Sequence, residues 1–154
     1  MTAVSRRVFV AGGAAVLAGG AIYAAGGRNL FYSALTEEKK AAQIDAPTAH
    51  RQAVAGEILL VDIRRPDEWS RTGAGEGAMR LDMRREDFVE ALRALTGGET
   101  AVPVALICAR GVRSARLSNR LAKAGFTNII DVPEGMQGSA AGPGWLKRGL
   151  PVVR

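Results

Sequence analysis

The chain has 154 residues and a mass of 16.2 kDa, enough for one domain with a substantial core and too little for two of ordinary size. Apolar residues at 47% and charged residues at 23% exclude general disorder, while a single Cys and a single His exclude an intrachain disulfide and a Cys/His zinc cluster. A net charge of +6 admits a small anionic partner, but the charges are dispersed and aromatics make up only 5%, too few for the stacked platforms that bind single-stranded nucleic acid.

Residues 1–28 read as an export signal or membrane anchor. Val8 to Gly27 carry no charge, and Ser5-Arg6-Arg7-Val8-Phe9 leads into the run. A basic pair followed by an apolar stretch is the architecture of such a leader. The paired arginines resemble the twin-arginine signal, Ser-Arg-Arg-x-Phe-Leu-Lys, with Val10 and Ala11 in the last two places. The run also has the roughly 20 residues that a spanning helix needs. The expected location is therefore the cell envelope, on the periplasmic side. The protein is either released there or held at the inner membrane through residues 8–27. A buried Gly/Ala-rich core helix is the alternative. Residues 29–47 read as a linker ending near Pro47, and residues 48–154 as the folded domain.

Within the domain, Thr48 is expected to cap a helix through Ala55. Ile58–Val61 is a continuous apolar run, the pattern of a strand covered on both faces. Pro66-Asp67-Glu68-Trp69 opens a short helix, with Pro in its first turn and acids at its N-terminus. Gly73, Gly75 and Gly77 predict a flexible turn. Phe88, Val89, Leu92 and Leu95 give a helical face over Arg85–Leu95, stopped by Gly97 and Gly98. Val104–Ile107 predicts a second strand, Ser114–Ala124 a helix, Asn128–Val132 a third strand and Pro143–Lys147 a last short helix. Strands alternating with helices define an α/β domain with a mainly parallel central sheet flanked by helices.

One strand-to-helix junction carries chemistry. In Ile107-Cys108-Ala109-Arg110-Gly111-Val112-Arg113-Ser114, an apolar strand delivers the sole Cys to its carboxyl end, where open α/β sheets place their ligands. A loop and a helix start follow. Backbone N–H groups at a helix start attract anions and favour a thiolate. Arg110 and Arg113 add positive charge, and Gly111 permits the backbone angles that turn N–H groups inward. Taken singly, Cys108 reads as a packed core thiol and the arginines as a solvated helix start. The combination is what points to a site.

These residues resemble the rhodanese-like sulfurtransferases. Val61-Asp62-Ile63-Arg64-Arg65-Pro66-Asp67-Glu68-Trp69 is similar to the Val-Asp-Val-Arg-x-Pro-x-Glu-Trp/Tyr element of that family. Cys108 to Ser114 matches its Cys-x-x-Gly-x-Arg-Ser loop. Gly125-Phe126-Thr127-Asn128-Ile129 and Gly149-Leu150-Pro151-Val152 match its closing segments. Glu134–Gly138 takes the place of Gly-Gly-x-x-x-Trp, with Trp145 further along, and Gly73–Ala78 departs from Gly-His-Ile-Pro-Gly-Ala.

The resemblance implies catalysis by Cys108 alone. Its thiolate attacks an anionic sulfane donor such as thiosulfate, becomes a persulfide and passes the sulfur to a thiol or to cyanide, with no metal and no cofactor beyond that covalent intermediate. The loop Ala109, Arg110, Gly111, Val112 and Arg113 is then the donor-binding cradle. Asp62, Arg64 and Ser114 are expected to support it. A surface ion pair is the alternative for Asp62 and Arg64. The chain is expected to act as a monomer. A non-enzymatic persulfide carrier or sulfur-sensing partner protein is the second reading. A phosphatase on the same fold is disfavoured, because Cys-x5-Arg would need Arg where Ser114 stands.

Overall fold

The structure is a computed structural model and describes residues 41–154; the leader and most of the linker lie outside the described residues. Five parallel strands form the central sheet: β1 (Ala42–Gln43), β2 (Leu59–Asp62), β4 (Ala78–Arg80), β5 (Val104–Ile107) and β6 (Ile129–Asp131). Their spatial order is β1-β6-β5-β2-β4. β5 lies at the centre, with Leu59–Asp62 of β2 opposite Val104–Ile107.

Side chains alternate across the pleat, which sorts β5 onto both faces. Val104, Leu106 and Cys108 join a core with α3 (Phe88–Leu95) and α4 (Val112–Lys123), built from Phe88, Leu92, Leu117, Leu121 and Phe126. Ala105 and Ile107 join the opposite core with α1 (Ala46–Val54) and α5 (Gly144–Lys147), around Ala49, Leu60, Met136 and Trp145. Cover on both faces is why these strands read as unbroken apolar runs.

Two local expectations need correction. The domain starts earlier than Thr48. Ala42 and Gln43 pair with Ile130 and Asp131 as an edge strand, and Asp45, not Thr48, caps α1. Asp45 accepts the Thr48 N–H at 2.8 Å. Thr48 falls inside the first turn, where Pro47 is tolerated because that N–H has no helical partner. The glycines after α2 (Pro66–Thr72) are also more than a flexible turn. β3 (Ala74–Gly75) pairs antiparallel with β7 (Val152–Val153). A Cβ on Gly75 would lie 2.6 Å from the Trp145 ring, so glycine here makes room for that fully buried indole. The indole nitrogen donates to Pro151 O at 2.9 Å.

Among the described residues, no helix is long and apolar enough to cross a membrane.

Candidate active site

Cys108 follows β5 directly and sits at the carboxyl end of the central strand. Its side chain is buried, 1% exposed, at the floor of a cavity of about 580 Å³. Gly111 caps α4 with φ = 81°. This left-handed conformation turns its N–H onto Cys108 Sγ at 3.2 Å. A side chain at 111 would also drive a Cβ into the carbonyl of Pro133. Glycine is therefore required twice, for its angles and for its size.

Ser114, in the first turn of α4, also lies against the sulfur. The thiol donates to Ser114 Oγ at 3.6 Å, and that hydroxyl donates to Gly111 O at 3.0 Å. Once the thiol ionises, its proton no longer occupies the hydroxyl. Rotation about the Ser C–O bond can then turn the Ser114 O–H onto the thiolate.

A second loop fixes the first. Met136 N–H donates to Cys108 O at 2.8 Å and Gln137 N–H to Ala109 O at 2.9 Å. Gly135, at φ = 64°, packs so closely that a Cβ there would lie 2.5 Å from Ala109 O. The Glu134–Gly138 stretch, noted in the sequence only as a departure from the family pattern, is thus the clamp of the cysteine loop. Arg110 reaches the same stretch through Nη1 to Gly138 O at 3.3 Å.

Arg113 is held from outside the loop. Its Nη1 and Nη2 donate to Glu68 Oε2 and Oε1 at 2.8 and 2.7 Å, a two-point pairing that fixes the plane of the guanidinium. Burial works against the charge on Glu68. The hydrogen bonds from Arg113 and the Arg65 N–H, reinforced by the positive charges of Arg113 and Arg64, outweigh it and hold the carboxyl at about 2. Glu68 in turn raises the already high pKa of Arg113, against the cost of its burial and with help from Cys108. This salt bridge keeps its charges throughout the physiological range.

Asp62 and Arg64 are no surface pair. Both side chains are fully buried and joined at 2.7 Å. Their reach also differs from the expectation that they brace the cysteine loop. Arg64 donates to Thr72 Oγ1 at 2.9 Å and to Gly73 O at 2.7 Å, gripping the end of α2. The effect on the site is indirect: Arg64 holds α2, and α2 presents Glu68 to Arg113.

The cavity wall includes residues that the sequence reading left without a role: Arg65, Glu68, Met83, Arg84, Arg116 and Gln137, alongside Cys108, Ala109, Arg110, Val112 and Arg113. A legible signal existed for Arg84. Asp82-Met83-Arg84 repeats the spacing of Asp62-Ile63-Arg64, and Asp82 likewise grips its arginine by two points, at 3.0 and 2.6 Å. Among the described residues, no group of three His, Cys, Asp or Glu side chains is placed to hold a metal ion.

A buried cysteine thus lies at the end of a central parallel strand, beside a glycine-capped helix start and in the wall of an arginine-lined cavity. Residues 45–141 match the rhodanese-like domain family, and the chain belongs to it. The chain is 24% identical over 99 residues to an uncharacterized protein of Rickettsia prowazekii, an alignment covering 60% of this chain and 80% of that one. Among solved structures, it resembles the polysulfide-sulfur transferase homodimer of Wolinella succinogenes, with a TM-score of 0.58, 24% identity, and 87% and 91% of the two chains covered. It also resembles the Alr3790 protein of Anabaena sp., with a TM-score of 0.55, 25% identity, and 71% and 90% covered.

Proposed function

We propose that the protein is a sulfurtransferase working through a persulfide on Cys108. The observation that carries this reading is the Gly111 N–H on Cys108 Sγ at 3.2 Å, at the floor of an arginine-lined cavity. Membership of the rhodanese-like family supports it. In the first half-reaction the Cys108 thiolate attacks the outer sulfur of thiosulfate. A Cys108 S–S bond forms, the donor's S–S bond breaks, and sulfite departs with the electron pair. In the second, an acceptor thiolate attacks the outer sulfur of the persulfide and the Cys108 thiolate leaves. A cyanide acceptor takes the sulfur as thiocyanate. No net oxidation occurs, and the step is nucleophilic catalysis split into two displacements. Arg110, Arg113 and the loop N–H groups hold the anion. Polysulfide, named for the Wolinella structure, is a second donor to test.

The same proposal places the domain in the cell envelope, delivered or tethered by residues 1–28. The parallel sheet suits a tether. β1 runs parallel to β6 and β6 to β5, so Ala42 enters the sheet at the end remote from Cys108.

The test is thiosulfate:cyanide turnover by the native protein and by Cys108→Ser, with intact mass read in parallel. Native protein should turn over repeatedly and gain one sulfur when cyanide is withheld. Cys108→Ser should do neither while keeping its thermal unfolding. Transfer that survives in Cys108→Ser refutes the assignment. Loading of one sulfur without turnover assigns the protein as a carrier instead.

A further inference from the structure

The 134–138 clamp meets the cysteine loop with one edge and α5 with the other. Met136 N–H and Gln137 N–H donate to Cys108 O and Ala109 O. The opposite ends of the same two peptide units, Gly135 O and Met136 O, accept the Trp145 and Leu146 N–H groups at 3.0 Å each. Each of these peptide units is therefore bonded at both ends. Two short hydrogen-bond chains run from α5 through the clamp to the cysteine loop, and bonds in such chains strengthen one another. The loop that carries Gly111 N–H to the Cys108 sulfur is thus set, through two carbonyls, by the position of α5.

Glu134 fixes that position. Its side chain is 2% exposed. Oε2 accepts Gly144 N–H at 2.9 Å and Arg148 Nε at 2.8 Å, and Oε1 accepts Arg148 Nη2 at 2.9 Å. Gly144 precedes and Arg148 follows the two residues whose N–H groups bond the clamp, so one carboxylate spans both donors. Burial opposes the charge on Glu134. The hydrogen bonds from Arg148 and Gly144 N–H, with the positive charge of Arg148 and the Ala46 N–H, outweigh it and hold the carboxyl below its usual range. A Cβ on Gly142 would lie 2.6 Å from Glu134 Cδ, so the chain closes tightly around the carboxylate. Neither Glu134 nor Arg148 lines the cavity, and their route to the sulfur is the backbone of the clamp.

On the reading of Cys108 as the nucleophile, we infer that Glu134, paired with Arg148, is a positioning residue for it. The pair locks α5 to the clamp. The clamp in turn holds Cys108 O and Ala109 O where the next turn brings Gly111 N–H onto Sγ at 3.2 Å. When the pair is broken, the two α5 donors lose their fixed direction, and the carbonyls of the cysteine loop shift with the clamp. The Gly111 bond to the sulfur then lengthens, and the thiolate loses stabilisation.

The test reads the thiol directly and needs no sulfur transfer. Iodoacetamide reacts with the thiolate, and Cys108 is the sole cysteine, so intact mass follows one site in the full chain. Glu134→Gln keeps the volume of the side chain and removes its charge. Arg148→Ala leaves the clamp's own sequence intact and removes a side chain that is 31% exposed, so it decides the matter if Glu134→Gln does not fold. Each should slow alkylation at pH 7 by about fivefold, the loss of roughly 1 kcal/mol of a hydrogen bond to a charged group. Each should also move the Gly111 amide proton resonance upfield. The control is Phe126→Leu. Phe126 is 3% exposed, in the core at the end of the sheet remote from Cys108, so this variant should lower Tm and leave both readouts unchanged. An unchanged rate or an unmoved Gly111 signal in either folded variant overturns the inference, as does an equal change in Phe126→Leu. Thiosulfate:cyanide turnover is read on the same preparations. Absent turnover by the native protein, with both changes present in the variants, refutes the transferase reading and supports the positioning role.

Discussion

Glu68→Gln separates the electrostatic part of the site from its shape. The carboxylate accepts two hydrogen bonds from Arg113 and one from the Arg65 N–H at 3.1 Å. The amide keeps the volume but offers one acceptor oxygen and points an N–H₂ at a guanidinium. Lowering a carboxyl from 4.5 to about 2 corresponds to about 3 kcal/mol at ~1.36 kcal/mol per unit. Arg113 is 31% exposed on the cavity side, so solvent screens part of this, and we expect about 1–2 kcal/mol. The sign follows from the depressed value. The stabilisation is complete above the unfolded carboxyl's 4.5 and disappears as pH falls through about 2. Urea unfolding at a series of pH values is the assay. At pH 7 Glu68→Gln should be less stable by about 1–2 kcal/mol, with a Tm lower by roughly 4–10 °C. The gap should shrink below pH 4.5 and close near pH 2. Equal stability at pH 7, or a gap that stays constant with pH, would show that the salt bridge does not hold α2 against the cysteine loop.

Arg110→Ala should raise the KM for thiosulfate about fivefold, roughly 1 kcal/mol, and steady-state kinetics check it. Arg113→Ala should lower kcat/KM and also cost about 1–3 kcal/mol of stability, because it leaves the buried Glu68 without its two-point partner; the reverse pattern between the two variants would mean that their roles are exchanged. For the leader, Arg6→Lys together with Arg7→Lys should retain folded protein in the cytoplasm, and unchanged envelope fractionation would refute the twin-arginine assignment.

Much of the fold was legible because its cause is local. The runs Leu59–Val61 and Val104–Ile107 are apolar at every position, which a two-sided parallel sheet demands, and the Phe88–Leu95 face repeats at helical spacing. The cysteine loop was legible because Cys, Gly, Arg and a helix start follow one another in eight residues. What the sequence hid is set by distant contacts. β1 and β7 have two residues each and are strands only because β6 and β3 lie beside them. For the Asp62–Arg64 pair the sequence leaves a bracing role and a surface pair both open, and the contacts of Arg64 with Thr72 and Gly73 decide its place. Glu68 stands 45 residues from Arg113, and no spacing rule joins them. Arg84 could have been suspected from its Asp-x-Arg spacing, but its place in the cavity depends on the path of the segment along β2.

Two glycines, Gly111 within the cysteine loop and Gly135 facing it, set the geometry of that loop. A trans peptide directs its C=O and the following N–H to opposite sides. Tying Cys108 O to Met136 and Ala109 O to Gln137 therefore turns the N–H groups of Ala109 and Arg110 away from the 134–138 clamp. Gly111 then reverses the chain at φ = 81° and brings its own N–H to the sulfur. The two clamp bonds are backbone to backbone, the Gly111 N–H meets the Cys108 side chain, and a Cβ at 111 or 135 would strike a carbonyl on the other loop. Main-chain groups therefore make the surroundings of the Cys108 sulfur and glycines permit them, while Arg113 is committed to Glu68 at two points.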